Sequence, residues 1–175
     1  MTYIQHYASP LGDMTLASDG TFLTGAWFAN QKYFGQSLSP DSMPKALPIL
    51  QQTAAWLDVY FQGTAPDFTP PMSLKGTAFR MAVWEILQTI PFGQTITYGE
   101  IAAKIAQQKG AAAMSAQAVG NAVGHNPIAI LIPCHRVVGA KGDLVGYAGG
   151  LERKFQLLRL EGSRFIHLPK SGNKA

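Results

Sequence analysis

The residues best suited to do chemistry are Cys134 and His135, adjacent within Ile132-Pro133-Cys134-His135-Arg136-Val137-Val138; the chain has one cysteine in all. A thiol is a nucleophile only as thiolate, so a reactive cysteine needs cationic or hydrogen-bonding neighbours that lower its pKa from about 8.5. His135 and Arg136 are residues of that kind. On a regular strand successive side chains point to opposite faces, so Cys134 and His135 share a site only through a bend or a bridging water. Pro133, with no amide donor and a fixed φ, suits an irregular backbone. Taken alone the pair is a weak signal, because a lone cysteine among apolar residues also reads as a buried packing residue.

The surroundings add to it. Asn126-Pro127 precedes the heptapeptide, Gly146-Tyr147-Ala148-Gly149-Gly150 follows it, and Glu161-Gly162 closes the region. From Gly76 to Gly162 this arrangement resembles the O6-alkylguanine-DNA alkyltransferases, with a looser fit from Ser9-Pro10-Leu11-Gly12 onward. The resemblance implies DNA repair by direct damage reversal: an irreversible, single-turnover transfer of the alkyl group from O6-alkylguanine in double-stranded DNA to Cys134. Whether O4-alkylthymine is also a substrate stays open. It implies that His135 is the base, acting through a water, and that Glu161 orients the imidazole, the general pattern of nucleophile, base and orienting third group. Asn126 then holds the active-site loop, and Tyr98 meets the DNA backbone and gives a proton to the departing guanine. Val145, Tyr147, Ala148 and Gly149 would line the substrate pocket. Ser115, Ala116, Gln117, Tyr98 and Arg136 would face DNA. A base inside a duplex must be flipped out to reach a protein thiol, and the family fills the gap with an arginine where this chain has Gln117. Glutamine lacks the charge and the stacking plane of a guanidinium. Ala148 stands where some relatives carry a hydroxyl. Thiolate displacement needs no metal or cofactor, and with no targeting or membrane-span pattern a reducing cytoplasm, which would keep Cys134 as a thiol, is the expected setting; a monomer without a membrane partner is expected.

Each residue also has a plainer reading. Glu161 could be a solvated acid at a helix end, though the macrodipole disfavours a carboxylate there. Asn-Pro is a common turn, Tyr98 suits half-buried packing, and Gln117 suits an exposed helix face. Two other functions stay in view. A non-catalytic lesion-binding protein of this fold would replace the cysteine, and Cys134 is present. A Cys134-His135 hydrolase is disfavoured, because adjacent residues seldom form a direct dyad and no oxyanion-hole motif accompanies them.

Composition sets the limits. The chain has 175 residues, 47% hydrophobic and 14% charged, with a formal net charge of +4, an ordinary globular make-up with a mild bias toward nucleic acid. One cysteine excludes an internal disulfide, and His6, His125, His135 and His167 have no zinc-site spacing. The first residues show no basic region followed by an apolar core, and no apolar run approaches a membrane span.

The elements that must position these residues follow from periodicity. The expected class is α+β: a small N-terminal α/β domain with an antiparallel hairpin sheet and a helix, then a mostly helical winged helix-turn-helix. Residues 1–63 form the first domain, 64–75 a Pro-rich linker, 76–168 the second domain and 169–175 a polar tail. Met14–Ser18 and Phe22–Phe28 read as a hairpin about Asp19-Gly20. Leu47, Leu50, Ala54, Leu57 and Phe61 mark a helix ending near Gly63. Thr77 caps a helix with Phe79, Val83, Ile86, Leu87 and Ile90 inward. Thr97 and Glu100 form a capping box, and Ser115 caps a third helix, Ala116 to Gly124. Residues 128–132 read as a short buried strand, residues 137–145 as a hairpin wing, and Leu151, Phe155 and Leu158 as a last helix.

Overall fold

The computed structural model describes residues 1–164, so the tail over 169–175 and the expected end of the second domain at 168 lie outside the described residues. The elements run β1 (Tyr3–Ser9), β2 (Gly12–Ser18), β3 (Leu23–Phe28), β4 (Met43–Pro44), α1 (Pro48–Phe61), α2 (Ala78–Leu87), β5 (Ile96–Thr97), α3 (Tyr98–Lys109), α4 (Ala116–Gly124), β6 (Val137–Val138) and α5 (Leu151–Leu160). The chain divides into two units. One is Met1–Lys75 with Pro127–Leu131; the other is Gly76–Asn126 with the chain from Ile132 onward.

The first unit is a four-stranded sheet in the order β3-β2-β1-β4, antiparallel except where β4 runs parallel to β1. Pro44 lies on that edge, where its missing donor breaks no ladder. The hairpin between β2 and β3 turns through four residues, not two: Asp19 accepts from the amides of Thr21 and Phe22 at 2.9 and 2.8 Å, an Asx turn. Helix α1 packs across β1, β2 and β3 and starts on Pro48, whose fixed φ suits a first helical position. It buries Ile49, Leu50, Thr53, Trp56, Leu57 and Tyr60, whereas Ala54 and Phe61 of the expected stripe stay half-exposed. Both sets obey the helical period, and the stacked rings of Trp56 and Tyr60, 5.4 Å apart, lie on the face that turns inward. Within the segment expected as a linker, the Leu23 amide donates to Pro71 O and the Ser73 amide to Leu23 O, both at 2.9 Å.

Residues 128–132 do not form the expected strand. Ile128 makes one bridge with Ala26, and the chain then turns with Ile130 at φ 71°, a conformation β-branched residues seldom adopt. An apolar run this short has no periodicity that separates a strand from a buried turn.

In the second unit the helix caps form as the sequence indicates. Thr77 Oγ1 accepts from Arg80 N at 3.1 Å, Thr97 and Glu100 close a reciprocal capping box, and Ser115 Oγ accepts from Ala118 N at 3.2 Å. Gly110, at φ 65°, ends α3. Helices α2, α3 and α4 pack on one another, and Trp84 Nε1 donates to Ala122 O at 2.8 Å. The pair α3–α4, joined through residues 110–115, is the helix-turn-helix. The wing is not a hairpin: β6 pairs in parallel with β5, and residues 139–143 close a tight loop through a 2.8 Å bond from Gly139 N to Asp143 O. Val138, Leu144 and Leu158 form a small core with Leu151 and Phe155 against it. Among the described residues no helix is long and apolar enough to cross a membrane.

Candidate active site

Pro133, at φ −81° and ψ 64°, turns the chain out of extended geometry, and Cys134–Arg136 form one 3-10 turn. Successive residues of such a turn are about a third of a turn apart, so their side chains fan out instead of alternating as on a strand. The bend that the adjacency of Cys134 and His135 requires is therefore built into the backbone. Asn126 Nδ2 donates to Ile132 O at 2.7 Å and closes the loop that leads into the turn. Asn126, Cys134, His135 and Arg136 are all buried, at 5, 6, 0 and 8% exposure.

Glu161, at the C-terminal cap of α5, gathers this turn. Its Oε2 lies 2.6 Å from His135 Nε2 and 3.1 Å from Arg136 Nη2; its Oε1 accepts from Arg136 Nε at 2.8 Å and from Gly93 N at 3.0 Å. Arg136 also donates Nη1 to Ile90 O at 2.7 Å, and its guanidinium lies 5.8 Å from the Phe92 ring centroid. The expectation that Arg136 faces DNA is thus corrected: the guanidinium is consumed by a buried carboxylate and a carbonyl. A helix-end acid, disfavoured by the dipole, is held instead by a guanidinium and an imidazole donor.

The electrostatics follow from this packing. Burial raises the Glu161 carboxyl, but the hydrogen bonds and charges of His135 and Arg136 outweigh it and hold it well below the usual carboxylate range. An ionised Glu161 makes His135 Nε2 the donor. Burial lowers the His135 imidazole against the opposing pull of Glu161, with Arg136 and Lys154 adding to the lowering, so the ring is neutral near pH 7. Burial pushes the Cys134 thiol up, opposed by a hydrogen bond from Asn126, the charge of Lys154 and backbone donors.

Tyr98 opens α3 and donates its hydroxyl to Val145 O at 2.9 Å; burial and the neighbouring Cys134 push its pKa up to about 12. Val145 is 49% exposed, and Ala148 is half-buried. The Tyr147 hydroxyl is buried without a hydrogen-bond partner among the described residues, and the Cys134 charge helps to raise its pKa. Gly149 is buried and its carbonyl accepts from Arg153 Nη1 at 3.1 Å. Ser115, Ala116 and Gln117 are exposed at the start of α4; Ser115 and Gln117 line a groove of about 470 Å³ with Thr77, Phe79 and Arg80. The structure therefore brings Cys134, His135, Glu161 and Asn126 together, with Tyr98 near Cys134, and leaves Ser115, Ala116 and Gln117 exposed at the start of α4.

A model of the 6-O-methylguanine DNA methyltransferase ribonuclease-like domain matches residues 2–74, and one of the DNA-binding domain of the same proteins matches residues 78–163. The chain belongs to the 6-O-methylguanine DNA methyltransferase family. The methylated-DNA–protein-cysteine methyltransferase of Mycobacterium tuberculosis is 43% identical over 164 residues, covering 94% of each chain. That of Haemophilus influenzae is 39% identical, covering 94% of this chain and 88% of its own. A crystal structure of the M. tuberculosis protein in complex with DNA superimposes with a TM-score of 0.80 at 41% identity, covering 94% of this chain and 95% of that one.

Two residues of the site have no counterpart among those expected from the sequence. Gly93, at φ 83°, offers its amide to Glu161. Lys154 is fully buried, donates Nζ to Gly146 O at 2.9 Å and lies 5.7 Å from the Tyr98 ring centroid. Its signal was present: Leu151, Lys154 and Leu158 share the inward stripe of α5, and a lysine on such a stripe needs a reason.

Proposed function

We propose that this chain repairs double-stranded DNA by moving the alkyl group of O6-alkylguanine irreversibly onto its own Cys134, once per molecule, as a methylated-DNA–protein-cysteine methyltransferase. The observation that carries the reading is the 2.6 Å contact of His135 with Glu161, one residue from the only thiol. With Nε2 held by the carboxylate, Nδ1 is the nitrogen that takes the thiol proton, through a water. The sulfur pair forms the S–C bond while the C–O6 bond breaks and its electrons pass to guanine. Tyr98 protonates the departing base, and the proton on His135 returns through solvent to Tyr98. The products are a thioether and intact guanine, so no metal, cofactor or oxidant enters the balance. A thioether carbon resists hydrolysis at neutral pH, which makes the step final.

Asn126 serves as the clamp of the active-site loop, and Val145, Tyr147, Ala148 and Gly149 as the pocket wall. Exposed Ser115, Ala116 and Gln117 at the start of α4 suit the phosphate and duplex contacts of a helix-turn-helix, with Gln117 filling the place of the flipped nucleotide. A reducing cytoplasm keeps Cys134 as a thiol. The test is duplex DNA holding one O6-methylguanine, incubated with the protein and followed by peptide mass. One methyl per chain, on the Cys134 peptide, is expected; repeated turnover with unmodified Cys134 would refute the reading.

A further inference from the structure

Of the residues expected to face DNA, Ser115, Ala116, Gln117, Tyr98 and Arg136, the one cation is Arg136, and it is consumed by Glu161 and Ile90 O. Duplex binding draws most of its affinity from cations on phosphates, and those five residues leave that face without one. Arg80 supplies it. This arginine stands half-buried in the first turn of α2 and lines the same groove as Gln117 and Asn121 of α4. Among the described residues the Arg80 guanidinium and the Gln117 and Asn121 side-chain amides make no hydrogen bond or ion pair. No acidic residue lines the groove. The macrodipole opposes a cation in the first turn of a helix, so helix stability does not account for Arg80. Packing one turn below fixes its position. Arg80 and Trp84, four apart, share a face of α2, as Ala118 and Ala122 share a face of α4. The 2.8 Å bond from Trp84 Nε1 to Ala122 O ties these faces together, which sets Arg80 beside the first turn of α4. Behind it, a Cβ on Gly76 would meet the Trp84 ring at 2.8 Å and Arg80 Cβ at 3.5 Å. The chain entering α2 thus closes that side and leaves the guanidinium to the groove.

Resting on the alkyl-transfer reading above, we propose that Arg80 is a DNA-binding residue: its guanidinium holds a backbone phosphate beside the nucleotide whose place Gln117 takes. The two side chains divide the contact by their chemistry. Gln117 is neutral and offers donors and acceptors to base edges, whereas a guanidinium meets a phosphate with a planar fork of donors. Because α2 lies outside the helix-turn-helix pair α3–α4, the charge enters from a third helix. Phosphate contacts set register and carry no sequence information, so Arg80 fixes how α4 meets the duplex whatever the sequence around the lesion.

The test measures affinity for an unmodified duplex against salt concentration, for the parent protein, Arg80→Gln and Arg80→Lys. Each phosphate contact adds about 0.9 to the steepness of log affinity against log salt. Arg80→Gln should therefore make the slope shallower by about 0.9 and bind about tenfold more weakly at low salt. Arg80→Lys should restore the slope, because a point charge also displaces a counterion, but only part of the affinity. The Tm of Arg80→Gln should stay within about 2 °C of the parent's, since a half-exposed side chain without a partner adds little stability. An unchanged slope, with or without a fall in Tm, would overturn the proposal. A scan of single methylphosphonate linkages around O6-methylguanine then locates the contact. One linkage should raise the half-saturating DNA concentration for methyl transfer by the parent and not by Arg80→Gln; equal penalties in both proteins at every linkage would overturn the assignment. Inactivation by the free base O6-benzylguanine needs no phosphate, and a slowing there as large as on duplex would overturn it too. If Arg80→Gln does not fold, the parent decides: the Arg80 Nε–H resonance should shift when duplex is added, and an unmoved resonance would count against the contact. The salt titration uses neither lesion nor transfer. A slope that falls as expected beside a Cys134 that accepts no methyl would refute the repair reading and leave the Arg80 assignment standing.

Discussion

Replacing Glu161 by glutamine should do two separable things. The carboxylate accepts four hydrogen bonds, from His135 Nε2, Arg136 Nε, Arg136 Nη2 and Gly93 N, and an amide offers one oxygen and turns a donor toward the others. Arg136 would then be a buried cation left with Ile90 O, the Phe92 ring and the remaining amide oxygen for partners. Removing one member of a buried pair costs about 3–5 kcal/mol, against a total stability of about 5–15 kcal/mol. The variant should fold in the cold with a Tm lower by about 6–20 °C, at about 2–4 °C per kcal/mol for a protein of this size. Single-turnover methyl transfer from an O6-methylguanine duplex, timed where circular dichroism shows the variant fully folded, should be slower by about 10²–10⁴-fold, the range of general-base effects. The control is Arg136→Met, which loses comparable stability but leaves the carboxylate on His135. Because the Arg136 charge helps to hold the imidazole pKa down, the acid limb of its rate profile should move to higher pH, with a rate near the parent's above that limb. Equal rate losses in the two variants would mean that Glu161 acts only through folding, and an unchanged rate in Glu161→Gln would remove it from the mechanism.

Cys134→Ser should accept no methyl yet bind lesion DNA in a gel-shift assay as the parent does, since flipping and phosphate contacts do not use sulfur; loss of binding would tie the thiol to recognition. Gln117→Ala should slow repair of duplex lesions far more than inactivation by free O6-benzylguanine, and Gln117→Arg should steepen the salt dependence of binding by up to about one phosphate-equivalent; equal effects on duplex and free base would make Gln117 a surface residue only. Stability should fall with acid in two stages. His135 has a folded pKa below its ordinary 6.5, so the unfolded chain gains protons first as pH drops through 6.5. Glu161, held below its ordinary 4.5, contributes stability that is complete above that value and lost as pH falls from it toward the folded pKa. Tm measured from pH 8 down to 2 should show both stages, and His135→Gln should remove the upper one; a flat Tm over that range would contradict both assignments.

Sequence alone settled what depends on residue identity and local geometry. The caps at Thr77, Thr97 and Ser115 are legible because a side-chain oxygen satisfies a backbone amide two or three residues away, with no help from elsewhere in the fold. The nucleophile is legible because there is one cysteine, and Glu161 because the motif around it matches a family pattern. Tertiary structure decided everything that hinges on which long-range partner a group finds. Arg136, a cation beside a cysteine and so read as facing DNA, folds back onto Glu161 and Ile90 O, because an ionised carboxylate buried at a helix end recruits the nearest guanidinium. Residues 128–132 and 137–145 look like strands by composition, yet one pairs through a single bridge and the other closes a loop, since ladder formation depends on an edge that local sequence does not encode. Lys154 was legible only in part, for the same reason. A lysine in an apolar stripe shows only that something inside must justify its charge, and what surrounds it is fixed by the packing of α5 against the turn that carries Cys134 and beside Tyr98.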